Sequence, residues 1–163
     1  AKIYKKNRRI FKKLKKILPK YFTNFPINKN NVTKAILANK NNLNKIIKVI
    51  HFEVRIKLKR FLKKNNKKKI IILDIPLLLE NKLNSKKDIL IFVQSKKTEI
   101  LKRLKKRKNF NYELIKKFRN IQLPLDIKKK KSDFIIKNDF TNKTIKRNIN
   151  KILKNILYER SNT

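Results

Sequence analysis

The sequence contains no glycine, cysteine, methionine or tryptophan, and only one histidine. Without cysteine the chain has no disulfide, no thiolate nucleophile and no cysteine-based zinc site, and a single histidine excludes a multi-histidine metal site. We therefore expect no metal centre held by these side chains. Without glycine, no glycine-rich phosphate-binding loop can lie within the 163 residues. Because methionine is also absent, we expect the chain to begin inside its reading frame.

Acidic residues are scarce: 10 Asp and Glu stand against 49 Lys and Arg, a net charge of +39. Such a charge predicts a nucleic-acid or other polyanionic partner, and its self-repulsion predicts that folding depends on salt. An alternative explanation needs no partner. The chain is rich in Lys, Asn and Ile and poor in Ala, Pro and Gly, which is the bias expected from A/T-rich codons. The lysines lie on every segment rather than on one face, which favours this second explanation.

Long apolar runs are missing too. No run approaches the roughly 20 residues that a membrane-spanning helix needs, and Ala1–Lys20 is a lysine-rich helical pattern without the apolar centre of a signal peptide. We therefore expect a cytoplasmic protein with no membrane partner. Hydrophobic residues still make up 40% of the chain, and 163 residues suffice for one domain with a buried core.

Apolar residues recur at helical spacing in several segments, which predicts amphipathic helices. The predicted helices run from about Ile3 to Leu18, from Asn30 or Asn31 to about Asn39, over Asn41–Asn65, after a cap at Ser95, over Tyr112–Asn120 and after a cap at Thr141. Short apolar runs predict three strands, at Ile70–Leu73, within Asp88–Val93 and from Phe134 to Asn138. Runs without polar alternation are typical of buried parallel strands, so the fold class predicted is α/β.

The segment Lys69–Glu80, KIIILDIPLLLE, is the one around which we expect the fold to be organised. Its β-branched run predicts a central strand buried on both faces. Asp74 would then lie at the carboxyl end of that strand, where open α/β sheets bind their ligands. The alternative interpretation is a core strand followed by a capped short helix without any functional role.

Three spaced motifs carry a resemblance to a known family. DIPLLLE (Asp74–Glu80) resembles the D-x-P-L-L-x-E signature of dephospho-coenzyme A kinases. EILKRLKKR (Glu99–Arg107) resembles the Q-x-x-R-L-x-x-R helix of that family, and NIQLPLDIKKKKSDFIIKN (Asn120–Asn138) resembles its R-I-x-x-Q-x-P-x-x-x-K-x-x-x-A-D-x-x-I-x-N stretch. The motifs occur in the family's order, and the resemblance covers nearly the whole chain.

The resemblance implies a P-loop NTPase-like fold, with a parallel sheet flanked by helices, a helical substrate-binding insertion and a helical lid. It divides the chain into a core helix at 1–19, a dephospho-CoA-binding subdomain at 20–66 and a nucleotide-binding core at 67–163 whose lid spans about 103–131. The implied reaction is the ATP-dependent phosphorylation of the ribose 3′-hydroxyl of dephospho-CoA. The first strand and the phosphate loop would lie before Ala1, so we expect this fragment alone to bind ATP and Mg²⁺ poorly and to be inactive.

The resemblance also implies roles for individual residues. Arg107, with Arg103 as a second candidate, would act from the lid on the transferring phosphoryl group. Arginine suits this role because its guanidinium binds phosphate through two parallel hydrogen bonds. The remaining implied positions are Asp74, Leu77, Glu80, His51 and Lys29 for dephospho-CoA, and Asn138 and Gln122 for the nucleotide.

Two of these residues, His51 and Asn138, have a simpler interpretation, and a third, Lys29, departs from the family's residue type. A lone histidine on the edge of an apolar stripe is usually a packed or capping residue, and Phe52 stands where the family has proline after His51. Asn138 could be an ordinary turn residue after a strand. Lysine retains the charge of the family's arginine at Lys29 but loses its bidentate geometry.

Two other classes of protein remain open. A basic RNA- or polyanion-binding module is suggested by the charge and by aromatic residues scattered among the lysines: Tyr4, Phe11, Tyr21, Phe22 and Phe25. No RNP-type, KH or zinc-finger motif supports it. Non-specific polyanion binding at low salt is expected in any case and should fade as salt rises. A purely structural helical protein would not need three short apolar strands.

Overall fold

A computed structural model describes residues 6–161, with side chains described through Tyr158. The described residues form seven helices and two strands. The helices are α1 (Arg8–Ile17), α2 (Lys29–Ala38), α3 (Lys40–Lys64), α4 (Lys97–Lys105), α5 (Tyr112–Asn120), α6 (Leu125–Lys130) and α7 (Asn142–Ser161). The strands are β1 (Ile91–Gln94) and β2 (Phe134–Lys137).

These elements belong to two compact units. The first unit comprises Ala1–Leu83 and Tyr112–Ile121 and contains α1, α2, α3 and α5; we call it the helical unit. The second comprises Asn84–Asn111 and Gln122–Thr163 and contains both strands with α4, α6 and α7; we call it the sheet unit. The sequence predicted a different division, into segments 1–19, 20–66 and 67–163, which were defined by the ligands they were expected to bind. That division stays a prediction.

The core of the helical unit is built from α1, α2 and the first half of α3. Within a helix its buried residues lie one, three or four positions apart, so each helix turns one apolar side inward. They are Ile10, Leu14, Leu18, Phe22, Ile27, Ala35, Ile36, Leu43 and Ile46. Leu114, Phe118 and Ile121 of the α5 segment pack against the same cluster.

Asparagine side chains cap the N-termini of the first three helices. Asn7 Oδ1 accepts hydrogen bonds from the backbone N–H groups of Arg9 and Ile10, at 2.9 and 3.1 Å. Asn28 and Asn39 cap α2 and α3 in the same way, each accepting from the N–H two residues later. These caps satisfy backbone donors that have no partner inside the helix.

The caps correct several predicted helix boundaries. The first helix begins at Arg8 rather than near Ile3, which lies outside the described residues, because Asn7 takes the capping position. Asn28 caps α2 where Asn30 or Asn31 was expected. At α4 the cap residue is Lys96 rather than Ser95, and it makes no side-chain cap hydrogen bond. The boundaries predicted for Tyr112–Asn120 are confirmed.

The sheet unit is organised around one parallel strand pair. Ile91 to Gln94 of β1 lie opposite Phe134 to Lys137 of β2, in register. Asp133 extends the pairing, since its carboxylate accepts from Leu90 N–H at 2.7 Å. Ile136 of β2 and Ile152 of α7 are buried, and α7 contacts β2. The α/β class with a small parallel sheet, predicted from the sequence, is confirmed.

The predicted central strand at Ile70–Leu73 is wrong. Residues 70–75 form no regular secondary structure, and the side chain of Ile72 is 85% exposed. A buried strand needs neighbours that pair with its backbone donors and acceptors. Within the described residues the sheet consists of β1 and β2, and Ile70–Leu73 pairs with neither of them. Asp74 therefore does not lie at the carboxyl end of a strand.

Three residues adopt backbone angles that glycine would favour. Leu77, Lys82 and Phe140 have φ values of 57°, 49° and 65°. In this region an L-residue is strained by about 1–2 kcal/mol because Cβ approaches the following carbonyl oxygen. Leu77 lies inside the motif Asp74–Glu80, Lys82 lies two residues after it and Phe140 lies two residues after Asn138, so the strain falls in or beside predicted site segments. Among the described helices, none has both the length and the apolar character to cross a membrane.

Candidate functional site

In the sheet unit, Asn138 directly follows β2 and is half-buried. Its backbone N–H donates to Gln94 O, the last residue of β1, at 2.7 Å. Its side-chain Oδ1 accepts from Phe140 N–H at 2.8 Å and so shapes the turn after the strand. Within the described residues its Nδ2 group meets no acceptor. Asn138 thus combines the turn role with a donor available to a ligand.

Arg103 is brought to the same turn. Its guanidinium carbon lies 3.8 Å from the centroid of the Phe140 ring, two residues after Asn138. A guanidinium stacked on an aromatic ring is attracted by the ring face and keeps its N–H donors pointing outward in its own plane. The contact connects α4 with the turn after β2. Two residues predicted from separate motifs, Arg103 and Asn138, therefore share one neighbourhood.

Arg107 and Gln122, the other two residues predicted for the nucleotide side, also belong to the sheet unit. Arg107 lies in the turn after α4, where its N–H donates to Leu104 O and its carbonyl accepts from Phe110 N–H. Its side chain is exposed. Gln122 Oε1 accepts from Lys128 Nζ at 3.4 Å, a long bond between exposed groups.

The residues predicted to bind dephospho-CoA all lie in the helical unit. Lys29 is the exposed first residue of α2, and His51 is half-buried in α3. Asp74, Leu77 and Glu80 occupy the extended segment and turn that precede Leu83. The acceptor-side predictions and the nucleotide-side predictions therefore fall on different units of the structure.

Arg55 is a functional candidate that the motifs missed. Its Nη2 donates to Asn81 O at 2.9 Å, and Asn81 Nδ2 donates back to Leu77 O at 2.8 Å. Arg55 lies one helical turn after His51, so these bonds tie the His51 turn of α3 to the turn that follows Asp74. The sequence contains one indication of this role, because arginine is less common than lysine in this chain. The partner of Arg55 could not be predicted, because Asn81 lies 26 residues away.

His51 is shifted toward its neutral form. Burial lowers the pKa of the imidazole below 6.5, and the positive charge of Arg55 lowers this pKa further. Its Nδ1 is buried, and among the described residues it has no hydrogen-bond partner. A neutral imidazole can accept a hydrogen bond through one ring nitrogen. Because Nδ1 is shielded, a ligand hydroxyl would have to reach Nε2.

We expect the stability of the chain to fall as pH decreases through the region of pH 6.5. The pKa of His51 is lower in the folded state, so the unfolded chain binds the extra proton more readily. The contribution of His51 to stability is therefore fully present above the pKa of the unfolded state, and it is lost as pH falls through the lower pKa of the folded state. Thermal unfolding at several pH values measures the effect. Because His51 is the only histidine, the His51→Gln variant should lose this part of the dependence; an unchanged profile would contradict the assignment.

A basic cleft lies in the helical unit where the start of α1 meets a loop and α3. It has a volume of about 810 Å³. Four cations, Lys6, Arg8, Arg9 and Lys57, line it together with Phe25 and Pro26. The guanidinium of Arg8 lies 5.6 Å from the centroid of the Phe25 ring. Converging cations beside an aromatic wall suit a ligand that carries both phosphate and a planar or apolar group.

The described residues contain no group of three or more His, Cys, Asp or Glu side chains that could hold a metal ion. Magnesium in phosphoryl transfer is commonly held by substrate phosphates with one or two carboxylates, rather than by a protein cage. In the sheet unit, the polar Asn138 follows a parallel strand and the cation Arg103 lies beside the same turn. This arrangement is of the kind found in α/β phosphate-binding proteins.

Comparison with known proteins narrows this class to one family. The family model for dephospho-CoA kinase matches residues 1–144. A dephospho-CoA kinase of Wolbachia pipientis is 32% identical over 136 residues, which is 82% of this chain and 69% of the relative. Those of Bacillus cereus and Fusobacterium nucleatum are 41% and 33% identical, over 52% and 76% of this chain and 42% and 62% of their own lengths. The chain belongs to the dephospho-CoA kinase family, as the three motifs predicted.

Proposed function

We propose that this chain serves the ATP-dependent phosphorylation of the ribose 3′-hydroxyl of dephospho-CoA, the last step of coenzyme A biosynthesis. The helical unit binds dephospho-CoA and the sheet unit binds the nucleotide. The observation that carries this proposal is the separation of the predicted residues: Lys29, His51 and the Asp74–Glu80 segment lie in one unit, and Arg103, Arg107 and Asn138 in the other.

Phosphoryl transfer asks a protein mainly for positioning and for neutralisation of charge. Asn138 offers its free amide donor to a base, and stacking on Phe140 holds the Arg103 guanidinium beside it. Arg107, exposed in the turn after α4, supplies a cation for the phosphoryl group. On the acceptor side, the cations of the basic cleft fit the diphosphate of dephospho-CoA, and His51 can accept a hydrogen bond from the substrate. MgATP is the substrate that brings the metal ion.

The 163 residues contain no glycine, so none of them forms a glycine-rich loop around the ATP phosphates. We therefore expect no turnover when this chain alone is given MgATP and dephospho-CoA. Acceptor binding does not need that loop, and it is the property by which the chain is best tested. The cytoplasmic location and the non-specific polyanion binding inferred from the sequence both stay predictions.

We expect this chain to bind dephospho-CoA at physiological salt, and binding to depend on Lys29. Enzyme–substrate affinities commonly fall between about 1 µM and 1 mM. Replacing Lys29 by Gln removes one charge-assisted hydrogen bond and should weaken binding about tenfold or more. Replacing it by Arg should tighten binding, because the guanidinium restores bidentate contact with phosphate. Calorimetric titration measures both effects.

The matched control is Lys34→Gln, which removes an equally exposed lysine from the same helix. Inorganic pyrophosphate provides the control ligand, because it carries phosphate charge without adenosine or pantetheine. Binding that CoA displaces, that survives physiological salt and that Lys34→Gln leaves unchanged supports the proposal. If pyrophosphate binds as tightly as dephospho-CoA, or if the two lysine variants are equally weak, the acceptor site is not where we place it.

A further inference from the structure

The last helix carries a continuous row of cations on one face. Its members are Lys143, Lys146, Arg147, Lys151 and Lys154, with Asn150 in the middle; we call these six residues the α7 stripe. They form two rows with a spacing of four positions, 143/147/151 and 146/150/154, and the two rows lie side by side on one face of the helix. All six are exposed, and together they line a shallow groove of about 530 Å³.

The rest of α7 explains why this face is turned outward. Ile152 is buried, and α7 contacts β2, whose Ile136 is also buried. The apolar side of the helix is therefore used in the packing of the sheet unit. Lysines and arginines at i, i+3 and i+4 repel one another. From Asn142 to Tyr158 the helix contains no Asp or Glu that could relieve this repulsion, so the row is electrostatically suited to an external polyanion.

The stripe is separate from the site described above. The match to the dephospho-CoA kinase family model ends at residue 144. Of the six stripe residues, only Lys143 falls inside the matched region. None is among the residues assigned to dephospho-CoA or to the nucleotide.

We propose that the α7 stripe binds the phosphate backbone of a nucleic acid. The row extends about 16 Å, at about 1.5 Å of helix rise per residue. Along that length one strand of a base-stacked duplex carries on the order of five phosphates, at about 3.4 Å of axis each. Five cations therefore meet a matching number of phosphates. Asn150 can donate to a phosphate or sugar oxygen.

Two features favour a nucleic acid over an anionic membrane surface. A helix that binds a membrane surface lays its apolar face into the lipid, whereas the apolar face of α7 packs on β2. Tyr158 lies one turn after Lys154 on the side of the stripe, and its side chain is 72% exposed. An exposed aromatic ring at the end of a cationic row is a stacking platform for an unpaired base.

The test compares two variants of the chain with equal charge. One replaces the five stripe cations by Gln; the other replaces five exposed lysines of the helical unit, Lys12, Lys16, Lys45, Lys59 and Lys63, by Gln. Fluorescence anisotropy measures binding to a labelled oligouridine RNA over a range of salt concentrations. The stripe variant should bind roughly 10³-fold more weakly near 0.1 M salt, with the slope of log K against log salt reduced by about 3.5. The control variant should change the slope by less than about 1.

Glutamine has nearly the helix propensity of lysine, and the substitutions remove repulsion, so α7 should stay folded. Circular dichroism checks this, and the milder double variant Arg147→Gln/Lys151→Gln should lower the slope by about 1.4. Duplex DNA in place of RNA identifies which nucleic acid is preferred, and stripe-dependent binding of either supports the proposal. Equal losses in the two five-site variants would overturn it, since bulk charge would then explain the binding. Stripe-dependent binding to phosphatidylserine vesicles without stripe-dependent binding to RNA or DNA would overturn it as well.

Discussion

Replacing Phe22 by Ala is expected to destabilise the chain by about 3–5 kcal/mol, the range for deleting a buried aromatic side chain. Phe22 is 1% exposed and is the largest of the fully buried side chains in the described part. It lies in the short segment between α1 and α2 and fills the centre of the helical-unit core with Ile10 and Leu14. The substitution removes this apolar surface and leaves a cavity that the surrounding helices can close only partly.

Phe25 provides the matched control for Phe22. It has the same side chain in the same segment, but it is 36% exposed and contacts the ring of Phe11 at a centroid distance of 5.7 Å. Phe25→Ala should cost about 1 kcal/mol, the scale of one aromatic contact. Urea unfolding followed by far-UV circular dichroism, at a fixed moderate salt concentration because of the +39 charge, measures both. Equal losses in the two variants would show that Phe22 is not at the centre of the core.

The second large effect concerns a buried carboxylate. Glu53 is 5% exposed; Arg9 Nε lies 3.1 Å from its Oε1, and Asn7 Nδ2 donates to its Oε2 at 3.5 Å. The Arg9 contact has the distance of an ion pair, but Oε1 accepts no hydrogen bond from it, because the N–H is not aimed at the oxygen. Both partners of Glu53 stand at the start of α1, so the carboxylate joins α3 to the first turn of that helix.

Arg9→Ala is expected to destabilise the chain by about 2 kcal/mol, because it leaves a buried carboxylate without its cation. This is less than the cost for a fully buried pair, since the Arg9 side chain is 58% exposed and solvent screens it. Adding Glu53→Leu should restore most of the loss, because a buried charge is replaced by an apolar side chain. The double-mutant cycle isolates the coupling between the two residues.

Arg8→Ala is the control for the Arg9 variant, because Arg8 is an exposed arginine in the same turn and contacts an aromatic ring rather than an acid. It should cost no more than about 1 kcal/mol. A double variant as unstable as Arg9→Ala alone would contradict the role given to Glu53. Arg9 also lines the basic cleft, so the same substitution should weaken dephospho-CoA binding, whereas Phe25→Ala tests the aromatic wall of that cleft.

Six of the seven described helices were predictable from the sequence because their packing follows a local period; the short helix α6 was not predicted. The stripe Leu43, Ile46 and Ile47 predicted α3 to within one residue at each end. The parallel strands β1 and β2 were predictable for the related reason that each is a short apolar run bounded by polar residues. Their boundaries moved by up to three residues because ladder pairing, rather than hydrophobicity, determines where a strand begins and ends.

The same reasoning failed at Ile70–Leu73, where it predicted a strand that the structure does not contain. An apolar run indicates that burial would be favourable, but burial depends on partners elsewhere in the chain. Ile72 is 85% exposed, so none of the residues that the structure describes covers it. The motif that follows was still informative, because its turn is held to α3 through Arg55.

The candidate site was predictable only as far as its motifs extend. Arg103 and Asn138 come from two motifs, and the structure brings them together through Phe140, which no motif contains. The contact of Glu53 with Asn7 and the bond from Arg55 to Asn81 join residues 46 and 26 positions apart. Such contacts leave no trace in local spacing.

Hydrogen–deuterium exchange with and without dephospho-CoA, at physiological salt, tests most directly whether the acceptor is bound by the helical unit. We expect slower exchange in the start of α2, around His51 in α3 and in the turn from Leu77 to Asn81, with Lys29→Gln reducing the effect and Lys34→Gln leaving it intact. Slower exchange confined to β1, β2 or α7, or spread evenly over the lysine-rich segments, would show that the helical unit does not bind the acceptor.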